Sequence, residues 1–208
     1  MKILVVRLKA IGDSILSLPV CGTLRRAYPN AVIHYLVYEY IEPLLRDHPY
    51  IDQTLFISNE ERKNSFLYIK KALEFRRNKY DLVIDIIATP TSALLTFFTG
   101  ASRKIGFSRP KSRAIFYNKK VQRLVPGANA IDRKLTLLSD LVDNKQFIRN
   151  YSIPLPDSEV APMDFQMKKT GEVFSMFNLE LDSVRTKKDD LDQAFATGVR
   201  LAMAASKK

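Results

Sequence analysis

Apolar and polar positions fall into two alternating patterns along the first 142 residues. Short apolar runs stand at Ile3–Val6, Val32–Val37, Gln53–Ile57, Leu82–Ile87 and Lys104–Phe107, and each reads as a strand. Between them, apolar residues recur at helical spacing. Ile15, Leu16, Val20 and Leu24 mark a helix ending near Tyr28, and Ile41–Arg46 a short one ending near Pro49. Phe66–Lys79 reads as a helix with Phe66, Ile69 and Leu73 as its apolar positions. Ser92–Thr99 is another, and Ile131–Val142 a last one with Ile131, Leu135, Leu138 and Leu141/Val142 on one face. Repeated strand–helix alternation predicts an α/β fold, a Rossmann-like parallel sheet with helices on both faces.

The pattern changes after about residue 156. Ile153-Pro154-Leu155-Pro156 reads as an extended linker, and Asp189–Ala205 as a helix with acids at its start. No second strand–helix series and no internal repeat follows. The expected organisation is a domain over 1–156 and an atypical, irregular or helical tail over 157–208.

The first strand runs into Arg7-Leu8-Lys9-Ala10-Ile11-Gly12-Asp13, which places a glycine and a carboxylate at a strand-to-helix turn. Ligands bind open α/β sheets at such turns, in the crevice at the carboxyl ends of the strands. Gly12 permits close approach of a ligand to the backbone, and free N–H groups at the helix start favour an anion. Asp13 either caps the helix or accepts a proton from a substrate hydroxyl. Pro19 breaks the intrahelical ladder, so Asp13–Leu18 is expected to form a separate turn ahead of the main helix. Asp85 ends the fourth strand at the same sheet edge, where it lines the crevice or caps the turn before Pro90.

Charge narrows the choice of ligand. The net charge is +11, and residues 62–134 hold 17 Lys and Arg against four acids. Such a region faces an anion or is a solvated surface. Arg62 and Lys63 follow the third strand, while Arg103, Lys104, Arg109, Lys111 and Arg113 surround the fifth. Phe107, Phe116 and Tyr117 read as packing residues, and no nucleic-acid-binding module is recognisable. Gly-x-Gly-x-x-Gly and the phosphate-loop Gly-Lys-Ser/Thr are both absent. His34 and His48 lack metal-ligand spacing and read as structural. Cys21, the one cysteine, sits on an apolar helix face, forms no internal disulfide and fits a reducing cytoplasm. No apolar run reaches the roughly 18 residues that span a bilayer. The N-terminus reads as a strand, not a signal peptide.

Several blocks together resemble glycosyltransferase family 9, the ADP-heptose:lipopolysaccharide heptosyltransferases. They are Met1–Asp13 with its Ile-Gly-Asp end, Leu18-Pro19, Leu24–Pro29, Tyr80–Asp85, Ala101–Phe107, Phe116–Lys119 and Ala130–Arg133. The resemblance covers about residues 1 to 156. It implies the N-terminal, acceptor-binding domain of a GT-B enzyme that transfers heptose with inversion and without a metal or cofactor, ADP-heptose being the donor substrate. It implies Asp13 as the base that deprotonates the acceptor hydroxyl. The implied acceptor is an anionic glycolipid, lipid A–Kdo or the heptosylated inner core, met at the cytoplasmic face of the inner membrane. Gly12, Arg62, Lys63 and Arg109, then Arg103, Lys111 and Arg113, are the residues expected to contact it. Two departures stand out. The small hydroxyl residues common just before Ile-Gly-Asp are here Lys9 and Ala10. The donor-binding half expected after residue 160 is not recognisable, so the chain reads as truncated, inactive alone or completed by a separately encoded donor domain. A binding module without catalysis is the alternative function.

Overall fold

A computed structural model describes residues 1–108, 111–122 and 129–150. Six strands form one sheet, β1 (Lys2–Val6), β2 (Val32–Tyr38), β3 (Gln53–Ile57), β4 (Leu82–Asp85), β5 (Arg103–Phe107) and β6 (Lys119–Val121). Their order is β3-β2-β1-β4-β5-β6, and every pairing is parallel. β1 lies at the centre, and Ile3, Leu4, Val5 and Val6 are all fully buried. Helices over both faces remove both sets of β1 side chains from water, which is why this strand is a continuous apolar run.

Among the described residues, seven helices connect the strands, α1 (Ile11–Ile15), α2 (Leu18–Ala27), α3 (Glu42–Leu45), α4 (Asn59–Lys63), α5 (Ser65–Arg76), α6 (Pro90–Phe98) and α7 (Lys111–Ala114), and α8 (Ala130–Leu135) follows β6. The predicted break before the first long helix is present. α1 ends at Ile15, and α2 starts afresh with Pro19 in its first turn, where a missing N–H costs nothing.

The structure refines several expectations from the sequence. Arg62 and Lys63, which follow β3, sit on α4. Ser58 and Glu61 close a capping box at its start, Ser58 Oγ accepting from Glu61 N at 3.1 Å and Glu61 Oε2 from Ser58 N at 2.8 Å. On α5 the buried stripe is Tyr68, Ala72 and Phe75, while Phe66 and Leu73 are exposed. The helix carries two apolar stripes, and the one with the aromatic pair fills the space against Leu4, Leu36 and Val83. The predicted helix over 131–142 is α8 alone. It tightens into a 3-10 turn at Thr136–Leu138, which still buries Leu135, Leu137 and Leu138. α7 and β6 were not anticipated. The linker at 153–156 and the helix at 189–205 lie outside the described residues.

This strand order reverses direction between β1 and β4. The chain leaves β1 toward β2 and leaves β4 toward β5, so the loops after β1 and β4 part and open a crevice. Val6 and Asp85 are register partners at that point. The turn bearing Gly12 and Asp13 and the turn after Asp85 therefore form its two walls.

Candidate active site

Asp13 is not the helix cap. The N-cap of α1 is Ala10, which has no side-chain acceptor, and Asp13 lies in the first turn. Its main chain is fixed twice, its carbonyl accepting from Ser17 Oγ at 2.7 Å and from Arg7 Nε at 3.3 Å. The Tyr35 hydroxyl donates to Ser14 O at 2.8 Å from beneath. α1 is a single turn, so the positive character of this wall comes from side chains more than from a helix dipole.

Two cations hold the Asp13 carboxylate. Arg7 Nη2 donates to Oδ1 at 2.6 Å, and Lys9 Nζ lies 3.1 Å from Oδ2. The Arg7 side chain is 7% exposed and that of Lys9 50%, so one partner is embedded and the other is free to leave. A third basic group, Lys134 on α8, is buried and donates to Leu16 O at 3.1 Å, in the break between α1 and α2. Partial burial works to raise the Asp13 pKa, but Arg7 and Lys9, helped by Lys134, outweigh it and hold it below the ordinary value. Lys134 moves the other way. Burial, reinforced by Arg7, pulls its pKa down to about 7 despite the attraction of Asp13. Arg7 and Lys9 thus bring two positive charges to one carboxylate, an arrangement that favours a second anion in the crevice.

Gly12 stands beside this group with open space where a side chain would be, since an added Cβ meets nothing within 4 Å. No internal packing requires a glycine here, which leaves room for a ligand to approach the backbone.

The opposite wall is built on Asp85, which is fully buried. Its Oδ1 accepts from Ile87 N at 3.0 Å and Ala88 N at 2.9 Å, and its Oδ2 accepts from the Tyr117 hydroxyl at 2.7 Å. Burial raises its pKa against these hydrogen bonds. Of the two expected roles, the structure gives it the turn cap. Ala88 adopts a left-handed φ of 55°, and its carbonyl accepts from Arg113 Nη1 at 3.0 Å. A non-glycine residue held there at a crevice edge is a strain of the kind that clusters at ligand sites.

The basic residues separate by sheet edge. Arg62 lies at the carboxyl edge, its guanidinium 5.0 Å from the centroid of the Tyr38 ring. Tyr38 stacks on Tyr40 at 6.1 Å, and the Tyr40 hydroxyl is 3.5 Å from Lys9 O. That chain of contacts joins Arg62 to the Asp13 turn. Lys63 is exposed on the same helix. Lys111 and Arg113 are on α7, which follows the carboxyl end of β5, and Arg113 reaches the Asp85 wall. Arg103 opens β5 in register with Leu82, at the amino edge of the sheet, and is not brought to the crevice. Arg109 lies outside the described residues.

The remaining residues singled out in the sequence are structural. His34 is buried with Nδ1 2.8 Å from the Tyr80 hydroxyl, and His48 is buried with Nδ1 accepting from Tyr50 N at 3.3 Å. Cys21 is core, its thiol pushed up to about 12 by burial. Phe107 and Tyr117 are buried, and Phe116 packs on Phe97. Arg7 and Lys134 had no assigned role from sequence. Arg7 lay within the quoted motif, but nothing local marks Lys134 as buried.

Comparison with known proteins bears on this geometry. The family model of glycosyltransferase family 9 (heptosyltransferase) matches residues 68–180, more than half of the chain. That match runs past residue 156 and begins after Asp13, so the family and the role of Asp13 rest on separate observations. The chain is 32% identical over 137 residues to Escherichia coli lipopolysaccharide heptosyltransferase 3, covering 62% of this chain and 40% of that protein. It is 30% identical over 151 residues to lipopolysaccharide heptosyltransferase 1 of Campylobacter coli, covering 71% and 43%. It therefore spans less than half the length of these curated relatives. In fold it is similar to the family 9 glycosyl transferase of Veillonella parvula, with TM-score 0.66 and 23% identity over 75% of this chain and 45% of that one. It is likewise similar to the E. coli heptosyltransferase WaaC with ADP, with TM-score 0.62 and 23% identity over 74% and 51%. The doubly wound sheet and the sequence match agree: the chain belongs to glycosyltransferase family 9.

Proposed function

We propose that residues 1–150 form the acceptor-binding half of a lipopolysaccharide core heptosyltransferase. The acceptor is an anionic glycolipid, lipid A–Kdo or the inner core. Arg62, Lys63, Lys111 and Arg113 hold its charged groups at the carboxyl edge of the sheet, and Gly12 leaves it room. Asp13 takes the proton of the attacking hydroxyl. That oxygen bonds to the anomeric carbon of heptose, the bond from this carbon to the phosphate oxygen breaks, and ADP leaves with the electron pair. Attack opposite the leaving group inverts the centre, and no metal is required in the step. The donor sugar is held by a donor-binding domain, which the described residues do not contain.

The observation that carries this reading is the Asp13 carboxylate set between Arg7 and Lys9 at the switch point of a family 9 sheet. An ionised carboxylate is the form that accepts a proton, and the surplus cations suit an acidic acceptor. Binding of lipid A–Kdo at low and high salt tests it. Affinity should fall as salt rises, and Arg62→Ala with Arg113→Ala should weaken it further. Absence of binding at low salt excludes the reading.

An acceptor-binding module without transfer is the second reading. The two ion pairs favour it, because they leave Asp13 a weak base in the free chain.

Among the described residues no helix is long and apolar enough to cross a membrane. The proposed site of action is the cytoplasmic face of the inner membrane, where the exposed cations meet anionic lipid.

A further inference from the structure

The three basic groups near Asp13 are not equivalent. Arg7 is buried and reaches both the carboxylate and the main-chain carbonyl of Asp13. Lys134 is buried and committed to Leu16 O. Lys9 alone is exposed, at 50%, and its contact to Asp13 Oδ2 is a single ion pair of 3.1 Å. An exposed pair of this kind gains little over hydrated, separated ions, so a competing anion displaces it easily. The embedded Arg7 pair is not displaced in this way, because breaking it strands a buried charge.

We propose that Lys9 is a displaceable guard on Asp13: it covers the carboxylate in the free chain and leaves it for an anionic group that the acceptor carries next to the attacking hydroxyl. The inference rests on the acceptor reading above and adds to it a specificity-determining residue. Lys9 Nζ starts 3.1 Å from Asp13, and its four-carbon stem keeps it tethered to the turn that carries this carboxylate. The anion it follows therefore belongs to the same sugar residue as the attacking hydroxyl, or to a substituent on it. A carboxylate and a phosphate share the required chemistry. A neutral sugar leaves the guard in place, with Asp13 paired on both oxygens and poorly basic. An acidic sugar removes one pair as it binds, and the base gains proton affinity at the moment the hydroxyl arrives. Lys9 then anchors the acceptor's anion, so one side chain supplies both selection and release.

Carbon NMR of the Asp13 carboxyl in the full 208-residue chain tests this. Wild type and Lys9→Ser are titrated alone, with Kdo, with Kdo methyl ester and with inorganic phosphate. Lys9→Ser should titrate at higher pH than wild type without any ligand, since only Arg7 and Lys134 then face the carboxylate. Kdo should raise the midpoint more in wild type than in Lys9→Ser, and bind Lys9→Ser roughly fivefold more weakly. The ester should bind both chains equally and leave the wild-type midpoint where it was. A rise with inorganic phosphate as well as Kdo makes the guard responsive to either anion, and a rise with Kdo alone restricts it to the carboxylate. Equal midpoint rises in the two chains, or equal affinity of both for Kdo, overturn the inference while leaving the acceptor reading standing. If Kdo perturbs no resonance of the wild-type chain, the acceptor reading itself fails, and this inference with it.

Discussion

Lys134 Nζ donates a 3.1 Å hydrogen bond to Leu16 O, 118 residues away in sequence. The contact ties α8 to the break between α1 and α2, directly behind the turn that carries Asp13. Burying an ammonium with so few partners is unfavourable. Among the groups that lower the Asp13 pKa, Lys134 contributes after Arg7 and Lys9.

Lys134→Met should therefore trade stability against Asp13. In the folded chain the Lys134 pKa is pulled down to about 7 from 10.5. Between those values the unfolded chain binds the proton and the folded chain does not, so folding stability rises with pH across pH 7 to 10.5. The cost of the buried charge is fully present below that window. Urea unfolding of wild type and Lys134→Met at pH 6, 8 and 10 checks this. The variant's advantage should be greatest at pH 6 and shrink toward pH 10, by up to about 1.4 kcal/mol per pH unit.

The Tyr117–Asp85 hydrogen bond holds the opposite wall. Tyr117→Phe removes a donor from a fully buried carboxylate and should cost about 1–3 kcal/mol. The expected result is a lower urea midpoint with an unchanged slope. A variant as stable as wild type would mean that Asp85 is satisfied without Tyr117.

Two glycines should respond oppositely to alanine. A Cβ at Gly106 lies 2.5 Å from the Tyr117 ring, which is buried and pinned through its hydroxyl. Gly106→Ala should lose about 1–3 kcal/mol or more by overpacking. A Cβ at Gly12 meets nothing, and Gly12 lies within α1. Gly12→Ala should hold or gain up to about 1 kcal/mol in unfolding experiments, yet weaken acceptor binding by filling the space the ligand uses.

Much of this arrangement is legible from the chain alone. β1, β2 and β4 announce themselves because strands buried on both faces leave near-continuous apolar runs, whereas β3 and β5 are only partly buried and show as short apolar stretches beside polar residues. Pro19 gives away the break between α1 and α2, because it lacks the N–H a continuous helix needs. Other signals lie in the local sequence. Ser58-Asn59-Glu60-Glu61 has capping-box spacing and marks the start of α4. Arg103 precedes the apolar core of its strand, and in a parallel sheet that alone puts it at the edge away from the crevice. The rest was not local information. α7 and β6 are too short to carry a period. Helical spacing at Leu135 and Leu138 is met almost equally by a 3-10 turn. Lys134 looks like any solvated lysine until α8 docks on α2, and the Gly106–Tyr117 contact joins two blocks that sequence shows only as neighbours.

Asp13 is the proposed base of a heptosyl transfer. The direct measurement supplies the full chain with a family 9 donor-binding domain, ADP-heptose and lipid A–Kdo, and follows ADP release and heptose incorporation for wild type and Asp13→Asn. Asparagine keeps the shape and removes the proton acceptor, so transfer should fall by about 10²–10⁴ while acceptor binding persists. Transfer of heptose by Asp13→Asn at the wild-type rate excludes this role.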